Sequence, residues 1–223
     1  MAFTDRYSLI LFDLDGTLTD THQLIFDSFN FVLRKYKSVE LTPKEILAYF
    51  GPPEEVCLKN MLGEEYFHQA WPDFLDYYKT HLDESIVFEG LRELLQSLKA
   101  SGKLVGVFTA KGTMTTELTL EYHGLKTLFD IIVTGSLVKN HKPDPEGVNL
   151  ALKQLNLPAG KALVVGDSPS DYKAAMSAGT DFIAVMYDNI SKNRFENVEC
   201  KKAWSVAELS GFLLGGESEP ELG

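Results

Sequence analysis

Residues 8–16 read SLILFDLDG, and this stretch decides the fold. Leu9, Ile10, Leu11 and Phe12 follow one another without a polar break, then give way to Asp13-Leu14-Asp15-Gly16. A short apolar run without alternation marks a strand buried on both faces, as in a parallel sheet covered by helices. Similar runs occur at residues 104–109 (LVGVFT), 131–134 (IIVT), 162–166 (ALVVG) and 182–185 (FIAV). Helical patterns lie between them. Residues 91–100 put Leu91, Leu94, Leu95 and Leu98 on one face, and residues 114–122, 145–155 and 170–178 fill the other gaps. Strand and helix alternate, which predicts an α/β fold with helices on both faces of a parallel sheet and right-handed crossovers.

One stretch departs from the alternation. Residues 20–83 show no strand pattern but several helical ones. Ile25, Phe29, Val32 and Leu33 mark a helix within residues 24–35. Thr42-Pro43 reads as an N-cap followed by proline at the first helical position. Residues 54–62 and 65–82 supply two more helices. The expected organisation is a core of residues 1–19 and 84–214, an all-helical insertion at 20–83, and a disordered acidic tail at 215–223 (GGESEPELG). The aromatics of the insertion, among them Phe26, Phe29, Trp71, Phe74, Tyr77 and Tyr78, read as its packing.

Composition narrows the function. The chain has 223 residues, with 32 acids against 21 Lys and Arg, for a net charge of −11. A nucleic-acid partner would call for a basic face, so none is expected. No run reaches the roughly 18 apolar residues that span a bilayer, and no membrane partner is expected. Cys57 and Cys200 lie far apart, without zinc or redox spacing, and read as idle thiols in a reducing compartment. The expected setting is the cytoplasm, and the expected state a monomer or weak homodimer. His22, His68, His81 and His123 show no ligand spacing.

In a parallel α/β sheet, ligands bind beyond the carboxyl ends of the strands. The first strand runs into Asp13 and Asp15, a later one into Thr109-Ala110-Lys111-Gly112, and another into Gly166-Asp167-Ser168-Pro169-Ser170-Asp171. Lys142 stands in KNHKPDP, residues 139–145, just before a helix. Each has an ordinary reading alone: Asp15-Gly16 a turn, Thr109 a strand residue, Lys142 a solvated lysine, Ser168-Pro169 a helix cap. Together they bring four acids, a hydroxyl and an ammonium to one rim. So many like charges stay ionised cheaply only with a cation. Carboxylates without His or Cys suit a hard ion such as Mg²⁺.

The arrangement resembles the haloacid dehalogenase superfamily, in its phosphatase branch. DLDGT at residues 13–17 resembles the first motif, Thr109 the second, Lys142 the third, and GDSPSD at residues 166–171 the fourth. The resemblance implies a Rossmann-like core, with the insertion as a helical lid over the site. It implies Asp13 as nucleophile, forming an aspartyl-phosphate. Asp15 would act as general acid, then base; as i and i+2 on a strand the two carboxylates leave on one face. Asp13, the main-chain carbonyl of Asp15, and Asp167 would hold Mg²⁺. Thr109 and the amides near Asp15, Gly16 and Ala110 would bind phosphate oxygens, and Lys142 would pair with Asp13 and the phosphate. Asp171 would orient Lys142 or a metal-bound water.

Asp15 disfavours the dehalogenase branch, which lacks this acid, and the phosphonate-hydrolase branch, which carries Ala there. The resemblance points to small phosphorylated substrates. Phosphoglycolate comes first, with Lys111 meeting its distal anion or else lying solvated. Inorganic pyrophosphate comes second, since FGPPEE (residues 50–55) and VKNHKPDPEG (residues 138–147) resemble the bacterial pyrophosphatase branch. A phosphosugar mutase comes third, because Glu54 stands where an arginine is usual and would repel a second phosphate.

Overall fold

The computed structural model describes residues 6–188 and 194–215. The chain opens with β1 (Leu9–Phe12) and β2 (Thr19–Asp20), then α1 (His22–Lys37), α2 (Pro43–Leu47), α3 (Glu54–Leu62) and α4 (Glu64–Thr80). It returns through β3 (Ile86–Val87), α5 (Leu91–Ala100), β4 (Leu104–Phe108), α6 (Thr113–Tyr122) and β5 (Ile131–Val133). It ends with α7 (Glu146–Gln154), β6 (Ala162–Gly166), α8 (Pro169–Ala178), β7 (Asp181–Val185), β8 (Lys201–Ala203) and α9 (Val206–Leu214).

Strand β1 lies inside a six-stranded parallel sheet of order β5-β4-β1-β6-β7-β8. Leu9 is in register with Leu104 on one side and Ala162 on the other. Its pleat sends Ile10 and Phe12 into a core shared with Leu94 and Leu95 of α5 and Leu209 of α9. Leu9 and Leu11 enter a second core with Val148 of α7 and Ala174 and Ala175 of α8. Both faces are therefore apolar, which is why the strand reads as an unbroken run. The same logic misses β8. Lys201-Lys202-Ala203 sits at the sheet edge, where only Ala203 is buried, so no apolar run announces it.

The short antiparallel pair β2–β3 carries the chain out to α1–α4 and back, with Thr19 opposite Val87 and Asp20 opposite Ile86. Those four helices enclose a third core containing Leu24, Phe29, Ile46, Leu58, Phe74 and Tyr78. Phe29 and Phe74 pack with ring centroids 4.9 Å apart. Thr42 and Glu45 form a reciprocal capping box at the start of α2, with Pro43 as its first residue. The insertion also touches the sheet domain: Leu118 of α6 packs on the third core, and the Tyr78 and Thr119 hydroxyls lie 2.8 Å apart. No described helix is long and apolar enough to cross a membrane. The acidic tail lies, beyond Gly215, outside the described residues.

Leu11 is fully buried at the centre of the sheet. Leu11→Ala is expected to lower unfolding free energy by roughly 2–5 kcal/mol. Urea denaturation checks this, and a loss below about 1 kcal/mol would contradict the described core.

Candidate active site

Three neighbouring parallel strands end on the same rim and deliver three polar side chains. Asp13 follows β1, Thr109 follows β4 and Asp167 follows β6. Lys142 comes from the loop between β5 and α7. Its ammonium lies 3.0 Å from Asp13 Oδ1 and donates to Asp171 Oδ1 at 2.6 Å. It also sits over the Phe108 ring, 4.2 Å from the centroid. The lysine is buried, so it is not a solvated side chain. Burial alone would pull its pKa down, but Asp13 and Asp171 more than reverse this and hold it above its ordinary value.

Asp171 is shaped for one task. Its Oδ2 accepts the Ser168 amide at 3.0 Å and the Ser168 hydroxyl at 2.7 Å, which forms the capping box of α8. Its Oδ1 is left for Lys142. A Cβ at Gly166 would lie 2.6 Å from Asp171, so glycine is needed there for the acid to fit. Asp13 is held on one oxygen as well: Oδ1 accepts the Leu14 amide at 2.7 Å and meets Lys142. Among the described residues no hydrogen bond or ion pair engages Asp13 Oδ2, which is left open toward the cleft.

Asp13, Asp167 and Asp171 each place one carboxylate oxygen within 4.8 Å of the others. Burial, then the Asp171 charge, push Asp13 up to about 7, while Lys142 pulls it down. Burial, Asp171 and Asp13 also raise Asp167 well above its ordinary value, against the guanidinium of Arg194. Arg194 pairs with Asp167 Oδ2 at 2.8 Å. Such a cluster of hard oxygen donors fits a divalent cation, because a dication relieves the repulsion that burial magnifies. Asp171 is committed to Lys142 and Ser168, so Asp13 and Asp167 are the side chains that would hold the ion. Gly16 has φ +82°, and a Cβ there would lie 2.9 Å from Asp167. It lets the loop after β1 close over this acid.

The Asp15 carboxylate lies outside the acid cluster. It accepts the Thr21 hydroxyl and faces Lys111 Nζ at 3.4 Å. Its main-chain carbonyl remains the donor that the resemblance implies. The Gly16 amide donates to the Thr19 carbonyl at 2.8 Å, inside the turn that leaves β1. Thr109 is buried, and its hydroxyl accepts the Lys111 amide at 3.1 Å. Ala110 borders the same cavity.

Lys111 departs from the solvated reading offered for it. Its side chain has no exposure, so it is not solvated, and its ammonium is already paired with Glu54 at 2.9 Å and with Asp15. Glu54 differs in turn. It is a partnered carboxylate rather than a bare charge facing the cleft, so the repulsion argument against a second phosphate loses its basis. Sequence reasoning missed this pair because the two residues belong to different parts of the fold and no local spacing links them. It also missed Arg194, which lies in a stretch without periodicity. The cavity between these residues and the insertion measures about 480 Å³. The insertion closes it with His22, Ile25, Phe29, Leu47 and Phe50.

The sheet order, the acids at the strand ends and the buried lysine define a doubly wound α/β protein with an acid-lined site at the carboxyl ends of its strands. The sequence profile of the haloacid dehalogenase-like hydrolases matches residues 10–185, and the chain belongs to that family. It is similar to the pyrophosphatase PpaX of Bacillus velezensis, 34% identical over 182 residues that cover 82% of this chain and 84% of the relative. Against the pyrophosphatase PpaX of Bacillus anthracis the identity is 32% over 210 residues, 94% of this chain and 96% of the relative. Among solved structures, a predicted phosphoglycolate phosphatase from Haemophilus somnus superposes with a TM-score of 0.80 at 25% identity, covering 92% of this chain and 96% of that one.

The raised acid carries a pH consequence. The folded Asp13 carboxyl titrates near 7 against an ordinary 3.8, so it favours folding while protonated. That contribution is complete below the ordinary value and is lost as pH rises through about 7. A bound dication reverses the loss. Added Mg²⁺ or Mn²⁺ is therefore expected to raise the melting temperature by several degrees at about pH 8 and by much less at about pH 5.5. A shift equal at both values, read by scanning fluorimetry, would contradict the clustered acids as the binding site.

Proposed function

We propose that the chain is a Mg²⁺-dependent phosphohydrolase that cleaves small anionic phosphates through a phosphorylated Asp13. The observation that carries this reading is the arrangement of Asp13: one oxygen tethered to Leu14 and Lys142, the other open, in a cleft roofed by the helical insertion. Mg²⁺ held by Asp13 and Asp167 would supply the positive charge that lets carboxylate and phosphate approach.

The rest falls to the chain's own residues. Asp13 Oδ2 attacks phosphorus, and the bond to the leaving oxygen breaks. Asp15, at the mouth of the same loop, gives that oxygen a proton. Asp15 then takes a proton from the water that attacks the aspartyl-phosphate, which frees orthophosphate and restores Asp13. Thr109 and the amides of the Ala110 loop hold phosphate oxygens, and Lys142 balances charge on Asp13 throughout. Asp171 keeps Lys142 in place. Residues 20–83 serve as the cap that excludes water and selects substrate, over a core of residues 1–19 and 84–214. Two free thiols suit the reducing cytoplasm.

The similarity to pyrophosphatases over most of the chain favours inorganic pyrophosphate as the substrate. Lys111 is committed to Glu54 and Asp15, so its service to the distal carboxylate of phosphoglycolate loses support. Phosphoglycolate stands as the second reading, favoured by the Haemophilus somnus structure. Phosphate release over a panel of pyrophosphate, phosphoglycolate, sugar phosphates and nucleotides tests the order. Pyrophosphate and phosphoglycolate are expected to lead, with activity abolished by EDTA. Asp13→Asn is expected to lose about a thousandfold or more in kcat. Full turnover by that variant, or in excess chelator, would refute the mechanism.

A further inference from the structure

We infer that Glu54 is a positioning residue: from the helical insertion it holds Lys111 and the phosphate-side loop after Thr109 in their working geometry. The inference rests on the phosphohydrolase reading above, and it extends that reading to a residue of the cap.

Glu54 opens α3 and is buried. It accepts or faces three donors, all from the core. Oε2 accepts the Gly112 amide at 2.6 Å. Oε1 accepts the Thr115 hydroxyl at 3.0 Å and lies 2.9 Å from Lys111 Nζ. Gly112 and Thr115 belong to the N-terminal end of α6, where a carboxylate is favoured by the helix dipole. The Lys111 ammonium has no exposure, so it depends on its partners; a buried unpaired ammonium is strongly unfavourable. Its other carboxylate, Asp15, is farther away at 3.4 Å and is shared with Thr21. The Tyr78 ring of α4 closes the remaining side, 4.8 Å from Lys111 Nζ to the centroid.

These contacts form one chain of support. Glu54 fixes Gly112, Thr115 and Lys111; the Lys111 amide binds the Thr109 hydroxyl; Lys111 Nζ faces Asp15. The loop that carries Thr109 and Ala110 is thus fastened from above by the insertion. Without Glu54, Lys111 keeps one longer contact, and the loop loses two acceptors. The neighbouring acid separates this effect from simple docking. Glu55 Oε1 accepts the Ser136 hydroxyl at 2.7 Å, so it also ties the insertion to the core, but among the described residues it has no recorded contact with Lys111.

Glu54→Ala, Glu54→Gln and Glu55→Gln test the assignment together. Glu54→Ala is expected to lower kcat about tenfold or more while KM moves by less than about threefold. Formate or acetate fits the vacated slot and is expected to restore several-fold activity, measured against chloride of equal ionic strength. Glu54→Gln keeps an acceptor but not the charge, and is expected to fall between the two without rescue. Glu55→Gln is expected to stay within about twofold of the parent enzyme. Hydrogen exchange supplies a readout independent of turnover: the Gly112 amide, which donates to Glu54, exchanges faster in Glu54→Ala, slows again with acetate, and does not change in Glu55→Gln, whose link through Ser136 reaches the Thr113 amide instead.

An unchanged kcat in Glu54→Ala, a loss that small carboxylates leave unrepaired, or equal losses in Glu54→Gln and Glu55→Gln would overturn the inference. If Glu54→Ala does not fold, the comparison of the two glutamine variants decides. An inactive parent enzyme would sink the functional reading alone, and the exchange pattern would still decide the role of Glu54.

Discussion

A lysine held between the buried Asp171 and the half-buried Asp13 governs the architecture of this site. Lys142 touches Asp13 on one side and Asp171 on the other, over the face of Phe108. None of these groups could stay charged at such depth alone. Lys142 needs both acids, and the acids need Lys142 plus a further positive charge on the Asp13–Asp167 side. Arg194 supplies part of that charge on Asp167. The dominant effects are desolvation and like-charge repulsion, and the geometry is what makes them tolerable.

The fold exists to bring those charges together. Parallel strands with both faces covered end in one plane, so residues far apart in the chain meet at their carboxyl ends. Asp13, Thr109 and Asp167 are each the first residue after a strand. The glycines at 16 and 166 let backbone approach the acids where any side chain would collide. The helical insertion leaves and re-enters beside β1 through the β2–β3 pair, which sets it above the same rim.

The physics of each region explains what the sequence could and could not disclose. Buried parallel strands and the acids that end them are local signals: an apolar run, then Asp, Gly or Thr. The core and the meeting of Asp13, Lys142, Asp167 and Asp171 were legible for that reason. The helix caps at Thr42 and Ser168 were legible too, since Ser or Thr followed by Pro is a local signal; the structure completes each as a capping box. The Glu54–Lys111 pair was not, because a buried ion pair between an insertion and its host depends on how the two dock. An isolated lysine or glutamate has the same letters whether it is solvated or sealed. Strand β8 escaped notice because an edge strand with two lysines has no hydrophobic pattern to read.

The central claim is that an Asp13 oxygen, released from hydrogen bonds while its twin is tethered, bonds directly to phosphorus. Acid quenching during turnover, followed by borohydride reduction and peptide mass mapping, measures this bond. A phosphorylated Asp13 is reduced to homoserine, and the account predicts that change at residue 13 and at no other aspartate. An unmodified Asp13 peptide, or reduction at Asp15 or Asp167 instead, would contradict it.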